Sequence, residues 1–389
     1  KVVRTGYRLL IDVCITVVVL LLSATNAFSQ TSSINVVTSA VPFLRISPDA
    51  RAGGMGDLGV ATSPDANSQF YNVAKYAFAK SPSGLAMTYT PWLKDLGLND
   101  VYLASLAGYY QLSETEAISG SLRYFSLGNI QFTDNLGNDL NSFRPREFAL
   151  DAGYSRMLGE NLSLGVALRY INSNLAGGQA VNGVSYKAGN AVAGDIGLYY
   201  TTEAEDGSGI NLGAAFTNLG SKISYTSDAT QKDFIPANMA IGGVYNYVSN
   251  EVNRLSFGVD IHKLMVPTPP SLGDSSGLAN YRTKGVVGGW FSSFGDAPGG
   301  GAEELKEFSL SLGGEFSYNE QFAVRAGYFY EDKTKGNRQY FSLGAGFTSS
   351  SFGVNLSYLI PSGSGVNRNP LSNTIRFTLL MDLAPSGRN

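Results

Sequence analysis

The chain has 389 residues, a net charge of -3, 46 glycines, 22 tyrosines and 21 phenylalanines. A soluble chain of this length would more often divide into two domains, yet no linker, repeat or shift of composition marks a boundary. Mean hydropathy is near zero, at -0.02, there is no basic stripe suited to nucleic acid, and past residue 29 no apolar run approaches the roughly 20 residues of a membrane helix.

Residues 1–29 read as a secretory signal peptide, with Lys1, Arg4 and Arg8 ahead of an apolar core at 15–22 and small residues at 24–29. Cleavage is expected within 24–30. The single cysteine, Cys14, lies inside this segment, so the mature chain is expected to have no disulfide, cysteine nucleophile or thiolate metal site.

Residues 30–83 form an N-terminal extension without strand alternation. A short apolar stretch at 42–45 precedes Asp49, Arg51, Gly53, Gly54, Met55, Gly56, Asp57 and Gly59, and 65–79 has the pattern of a short helix capped near Asp65. A segment like this must keep its backbone polar groups away from lipid, which points to a plug in a barrel lumen over 49–79.

From residue 84 to 389 the pattern has a period of two. Leu162, Leu164, Val166, Leu168 and Tyr170 alternate with Ser163, Gly165, Ala167 and Arg169, and Phe257 and Val259 alternate with Asp260. Such segments, near ten residues long, describe strands with one face to lipid and one to a polar lumen. About fourteen are predicted, at 84–92, 100–111, 115–126, 146–158, 162–174, 191–202, 208–218, 237–249, 253–263, 306–318, 321–332, 339–349, 351–361 and 372–383. Their connectors alternate between tight turns and long stretches at 127–145, 175–190, 219–236, 264–305 and 362–371. A soluble sandwich would also alternate, but it gives no reason for that rhythm. The prediction is an all-β, transmembrane antiparallel barrel, integral to the outer membrane, with long loops extracellular and both termini periplasmic. Trp92, Tyr109, Tyr154, Tyr170, Tyr200, Tyr247, Tyr328 and Tyr358 fall near strand ends, as interfacial girdles require.

Inward positions carry Asp151, Arg169, Asp195, Asp260, Glu315, Arg325 and Arg376. These suit a salt-bridged lumen network that neutralises buried charge and anchors the plug; an ion or ligand path is the other reading, and spacing selects neither. His262, the sole histidine, shares a face with Asp260, but Ser256 lies about 20 Å along the strand, too far for a catalytic pairing. There is no Gly-x-Ser-x-Gly elbow, phosphate loop or histidine pair, so no catalytic residue, cofactor or metal is expected. The connection 264–305 opens with Pro267, Pro269 and Pro270 and places Trp290, Phe291 and Phe294 before a triple glycine. Those aromatics either anchor a partner or fold back over the barrel mouth.

The run DARAGGMGDLGVATSPDANSQFYNVAKYAFA, from Asp49 to Ala79, resembles the N-terminal signature of the FadL-like outer-membrane barrels and, within them, the PorV family of type IX secretion in Bacteroidota. Arg51, Gly53, Met55, Gly56, Gly59, Val60, Ala61, Asp65, Asn72 and Ala74 carry the resemblance. Val73 departs from it, standing where the wider family has proline in an Asn-Pro-Ala triplet. The resemblance implies a non-enzymatic adaptor in contact with outer-membrane lipid and lipopolysaccharide, with no nucleic-acid partner. It would bind the C-terminal signal domain of secreted cargo, associate with the large translocon barrel (SprA/Sov-like), and pass cargo to the attachment complex of the sortase-like PorU. The alternative is a FadL-like transporter of small hydrophobic molecules, and a third is a lipid-modifying enzyme resting on His262. A filled lumen with apolar exposed loops favours the adaptor, and an apolar cavity reaching a lateral opening favours the transporter.

Overall fold

A computed structural model describes residues 35–383 apart from 95–96, 134–136, 179, 182–183, 229–231, 251, 271–272 and 362–372. The expected signal segment 1–29, with Cys14, and the whole of the connection 362–371 lie outside the described residues.

Alternation becomes curvature in this chain. Fourteen antiparallel strands, from Ser83–Pro91 to Ile375–Asp382, close into one barrel in which the first strand pairs with the last, Gly84 opposite Asp382 through Tyr89 opposite Phe377. On strand Leu162–Asn174, Leu168 is 69% exposed and the next residue, Arg169, 3%. Val166, Phe257 and Val259 are likewise exposed, and Ser163 and Asp260 are fully buried. An outer wall of leucine, isoleucine, valine and phenylalanine on every strand is far beyond the apolar patch a soluble monomer presents, and it suits lipid. Tyr154, Tyr170, Tyr200, Tyr247 and Tyr358 are exposed on that wall.

Trp92 and Tyr109 are not in a girdle. Trp92 is buried edge-on to Phe125, and Tyr109 stacks on Tyr76 at 4.8 Å between ring centroids. Both take the inward parity of their strands. In Val101–Ser113 the inward set is Leu103, Ser105, Ala107 and Tyr109, and Tyr110 is the tyrosine that faces out. Leu103 and Leu106 make both faces of this strand apolar, which hides the parity in the sequence.

Tight turns gather at one rim and long connections at the other. Besides the barrel strands, the long connections contain two small hairpins, Ile130–Thr133 with Asp139–Phe143 and Ala180–Val181 with Val184–Ser185, and the stretch between Leu264 and Phe308 holds helices Ser275–Thr283, Val286–Ser292 and Gly301–Glu304.

Residues 35–79 thread the lumen from the long-connection rim to the tight-turn rim. Asn35 donates its N–H to the Thr334 carbonyl at the first rim, and Ser81 meets Asp382 at the second. The described residues thus begin at the rim opposite the end of the last strand. On the way, Phe43 and Leu44 pack under the long connections with Phe125, Ile171 and Ile223. The expected helix at 65–79 is replaced by two 3-10 turns, Ser68–Phe70 and Val73–Phe78. The cap at Asp65 is taken, because its carboxylate accepts the Asn67 N–H and a bond from Arg51, and Asn72 is extended and caps Ala74 instead. An unexpected helical turn, Ala50–Gly53, is capped by Asp49.

Backbone meets backbone at strand glycines. A Cβ on Gly327 would lie 2.0 Å from the Met55 carbonyl carbon, and Gly56, at φ 70°, lies against Tyr328. Only glycine suits either position.

Two predictions follow from register and packing. Arg at Leu168, mid-strand on the lipid face, should destabilise the barrel by about 2–4 kcal/mol and Arg at Leu158, by the tight-turn rim, by about 0–1 kcal/mol, as read by denaturant unfolding in vesicles; equal costs would contradict the register. Gly327→Ala should lower the temperature at which the folded band is lost in heat-modifiability gels, since overpacking costs about 1–3 kcal/mol, whereas Gly243→Ala, whose Cβ would meet Leu212 at an ordinary 3.4 Å, should leave it unchanged.

Candidate functional site

The lumen segment is held by charges on its own short turns and on the wall. Arg51 reaches Glu315 through two nitrogens at 3.0 and 3.2 Å and Asp65 at 3.0 Å, and Glu315 also accepts from Arg325 at 2.5 Å, which in turn reaches Asn355. Asp260 accepts the N–H groups of Gly59 and Val60 at 2.7 and 2.9 Å. The buried Lys75 ammonium donates to the Gly59 carbonyl and the Thr62 hydroxyl. Asn72 donates to the carbonyls of Val60 and Leu198.

A second network lies nearer the long-connection rim. Arg169 sits between Asp151 at 2.5 Å and Asp195 at 2.9 Å, with Ser121 on Asp151 and Asn218 on the guanidinium. Between the pairs Gly194–Leu219 and Ile196–Phe216, Thr217 and Asn218 stand opposite the single Asp195, a bulge of the kind that re-aims a side chain. Asn218, at φ 58°, brings its own N–H to the Asp195 carboxylate at 2.7 Å. With three charges buried together, removal of one partner costs about 3–5 kcal/mol.

The third assembly is the rim. Lys263 pairs with Glu304 and Glu307, and Lys335 with Glu303 and Glu307, so the long connection is bolted at its far end to two neighbouring parts of the barrel. Glu331 binds Arg45 at 3.1 Å and Arg338 at 2.8 Å; burial would raise its pKa, but Arg338 and Arg45 hold it below the usual carboxylate range. At the near end, Tyr281 packs edge-on against Phe234, and Gly289 lies against Phe234 and Pro267. Gly289 and Ser293 are the buried side of helix Val286–Ser292 and its cap. The opposite side exposes Val287 (57%) and Phe291 (74%), with Phe294 and Leu305 exposed close by in sequence.

The residues singled out in the sequence therefore divide. Arg51 and Asp260 join lumen segment to wall, Arg325 braces Glu315 from the wall itself, and Asp151, Arg169 and Asp195 form a separate group. Gly53, Met55 and Gly56 are buried at close backbone approaches to Arg376, Gly327 and Tyr328. Phe291 and Phe294 are exposed, whereas Trp290 is half-buried. His262 borders a cavity with Asp57 and Ser309 but makes no hydrogen bond to either among the described residues. No group of metal-ligating side chains is found among those residues. The rim carboxylates Glu303, Glu304, Glu307 and Glu331 escaped the sequence reading; their signal was only that a glycine-rich loop ends in three acids within five residues.

The family described as "Type IX secretion system protein PorV" matches residues 29–271. In solved structures the fold is similar to the toluene transporter TbuX of Ralstonia pickettii, at 11% identity over 85% of this chain and 97% of that one, with a TM-score of 0.51. It is similar also to the toluene transporter TodX of P. putida, at 13% identity over 85% and 97%, with a TM-score of 0.50. At such identities the likeness is one of fold. No curated protein matches the chain. With the family match covering more than half its residues and a closed fourteen-stranded barrel around a lumen segment, the chain belongs to the PorV family of type IX secretion system outer-membrane proteins.

Proposed function

We propose that this barrel is a non-enzymatic carrier in type IX secretion. It binds the C-terminal signal domain of cargo at its long-connection rim, which faces the cell exterior, and moves cargo from the SprA/Sov-like translocon to the sortase-like PorU attachment complex. The observation that carries this reading is the helix Val286–Ser292, whose Val287 and Phe291 point away from the barrel on a connection braced at both ends. Exposed aromatics are enriched among interface hot spots, and a rigid support spares a partner the ordering cost of a floppy loop.

The filled lumen supports the same reading against small-molecule transport. Cavities of about 120 Å³ and 230 Å³ beside the lumen segment fall below the roughly 300–1,000 Å³ of small-ligand pockets. Arg45, Arg123, Arg338 and Asp57 are among the residues that line the first, and a hydrocarbon there would strip water from charged groups.

Val287, Phe291 and Phe294 changed together to Ser should leave heat-modifiable, folded barrel in the membrane, because all three lie outside the strands, and should reduce several-fold the cargo and translocon recovered with the protein in a pull-down. Recovery at wild-type levels would contradict the assignment.

A further inference from the structure

Three guanidiniums border the cavity between residues 44–48 and the wall, and they are not matched by carboxylates. Arg45, Arg123 and Arg338 line it together with His262, and Asp57 is the carboxylate among its lining residues. Asp57 is already engaged on its other side by the Tyr340 hydroxyl and by Arg376 at 3.5 Å. Arg45 and Arg338 share the single Glu331 behind them. Among the cavity's lining residues, then, Arg45, Arg123 and Arg338 stand with one carboxylate, Asp57, and Glu331 lies behind.

Arg123 is the informative member. It is 3% exposed, and among the described residues no carboxylate comes within ion-pair distance of it, the nearby Asp151 and Asp195 being taken by Arg169. One terminal nitrogen donates to the Leu44 carbonyl at 2.9 Å, Phe70 lies under the guanidinium at 4.4 Å, and Nε is buried without a hydrogen-bond partner. A buried donor left unmade costs about 1–3 kcal/mol, more when charged, so the wall holds here a cation prepared for something it does not itself supply. Burial, and after it repulsion from Arg338, pushes the Arg45 guanidinium down to about 10, the direction expected where positive charge is in excess.

We propose that this cavity binds a small oxyanion, a carboxylate or phosphate group, held by Arg123 with Arg45, Arg338 and the His262 ring N–H. Guanidinium is the side chain suited to oxyanions, since its planar fork matches two oxygens at once. A volume of about 120 Å³ is a few times the roughly 30 Å³ share of one water, enough for a phosphate or a short carboxylate and too little for a fatty acyl chain. The site lies beneath the long connections, so the oxyanion enters from that rim. The inference does not depend on cargo binding at helix Val286–Ser292.

The test uses the detergent-extracted full chain. Thermal unfolding is followed while inorganic phosphate, or separately acetate, replaces chloride at constant ionic strength. A saturable upward shift in Tm is expected for at least one of the two ions, and which one saturates assigns the group as phosphate or carboxylate. Arg123→Gln and Arg338→Gln should each raise the half-saturating concentration about tenfold, the loss of one charge-assisted hydrogen bond. Arg338 is half-buried at the cavity edge, so its variant carries the test if Arg123→Gln does not assemble. Phosphate also stabilises proteins by exclusion from their surface; a shift that never saturates, or one equally large in the variants, would overturn the site.

Discussion

Peptide groups inside a membrane barrel have no bulk water to fall back on, and a chain that crosses the lumen as neither helix nor strand must have them met by the wall. Here the wall does so residue by residue. Thr378 accepts the N–H of Ala50, Ser342 that of Gly56, and Asp260 those of Gly59 and Val60; Arg123, Ser163 and Gln111 donate to the carbonyls of Leu44, Ala74 and Ala79. Every one of these side chains is an inward position on a strand. The lumen segment therefore depends on the barrel's register to place its partners, and it has no structure of its own beyond short turns.

That dependence sets what the molecule can do. A lumen crossed by hydrogen-bonded backbone and tied by Arg51 to Glu315 fits the proposal that partners are met at the rim. There the pairs of Lys263 and Lys335 with Glu303, Glu304 and Glu307 fix the longest connection, which presents apolar side chains outward.

Much of the barrel was legible because a strand's two faces meet different solvents. Ser163 and Arg169 against Leu168 is unambiguous, and strand ends were read to within a few residues. The parity failed where both faces are apolar, as in Val101–Ser113, and so Tyr109 was assigned to the wrong side. Lumen charges such as Arg169 and Asp195 could be named but not paired, because their surroundings include the bulge opposite Asp195 and its left-handed Asn218, which leave no periodic trace. Helices in 264–305 were invisible for a related reason: they are short, glycine-bearing and stabilised by docking onto Phe234 and Pro267, and no propensity announces that. Glu331 and Arg45, 286 positions apart, show nothing in sequence of their contact.

Single-channel conductance in planar bilayers tests the sealed lumen most directly. The account predicts that the full barrel gives no stable open channel and that deleting residues 49–79, in protein shown to be folded and inserted, produces one of large conductance. Full-length protein conducting as freely as the deletion would contradict it.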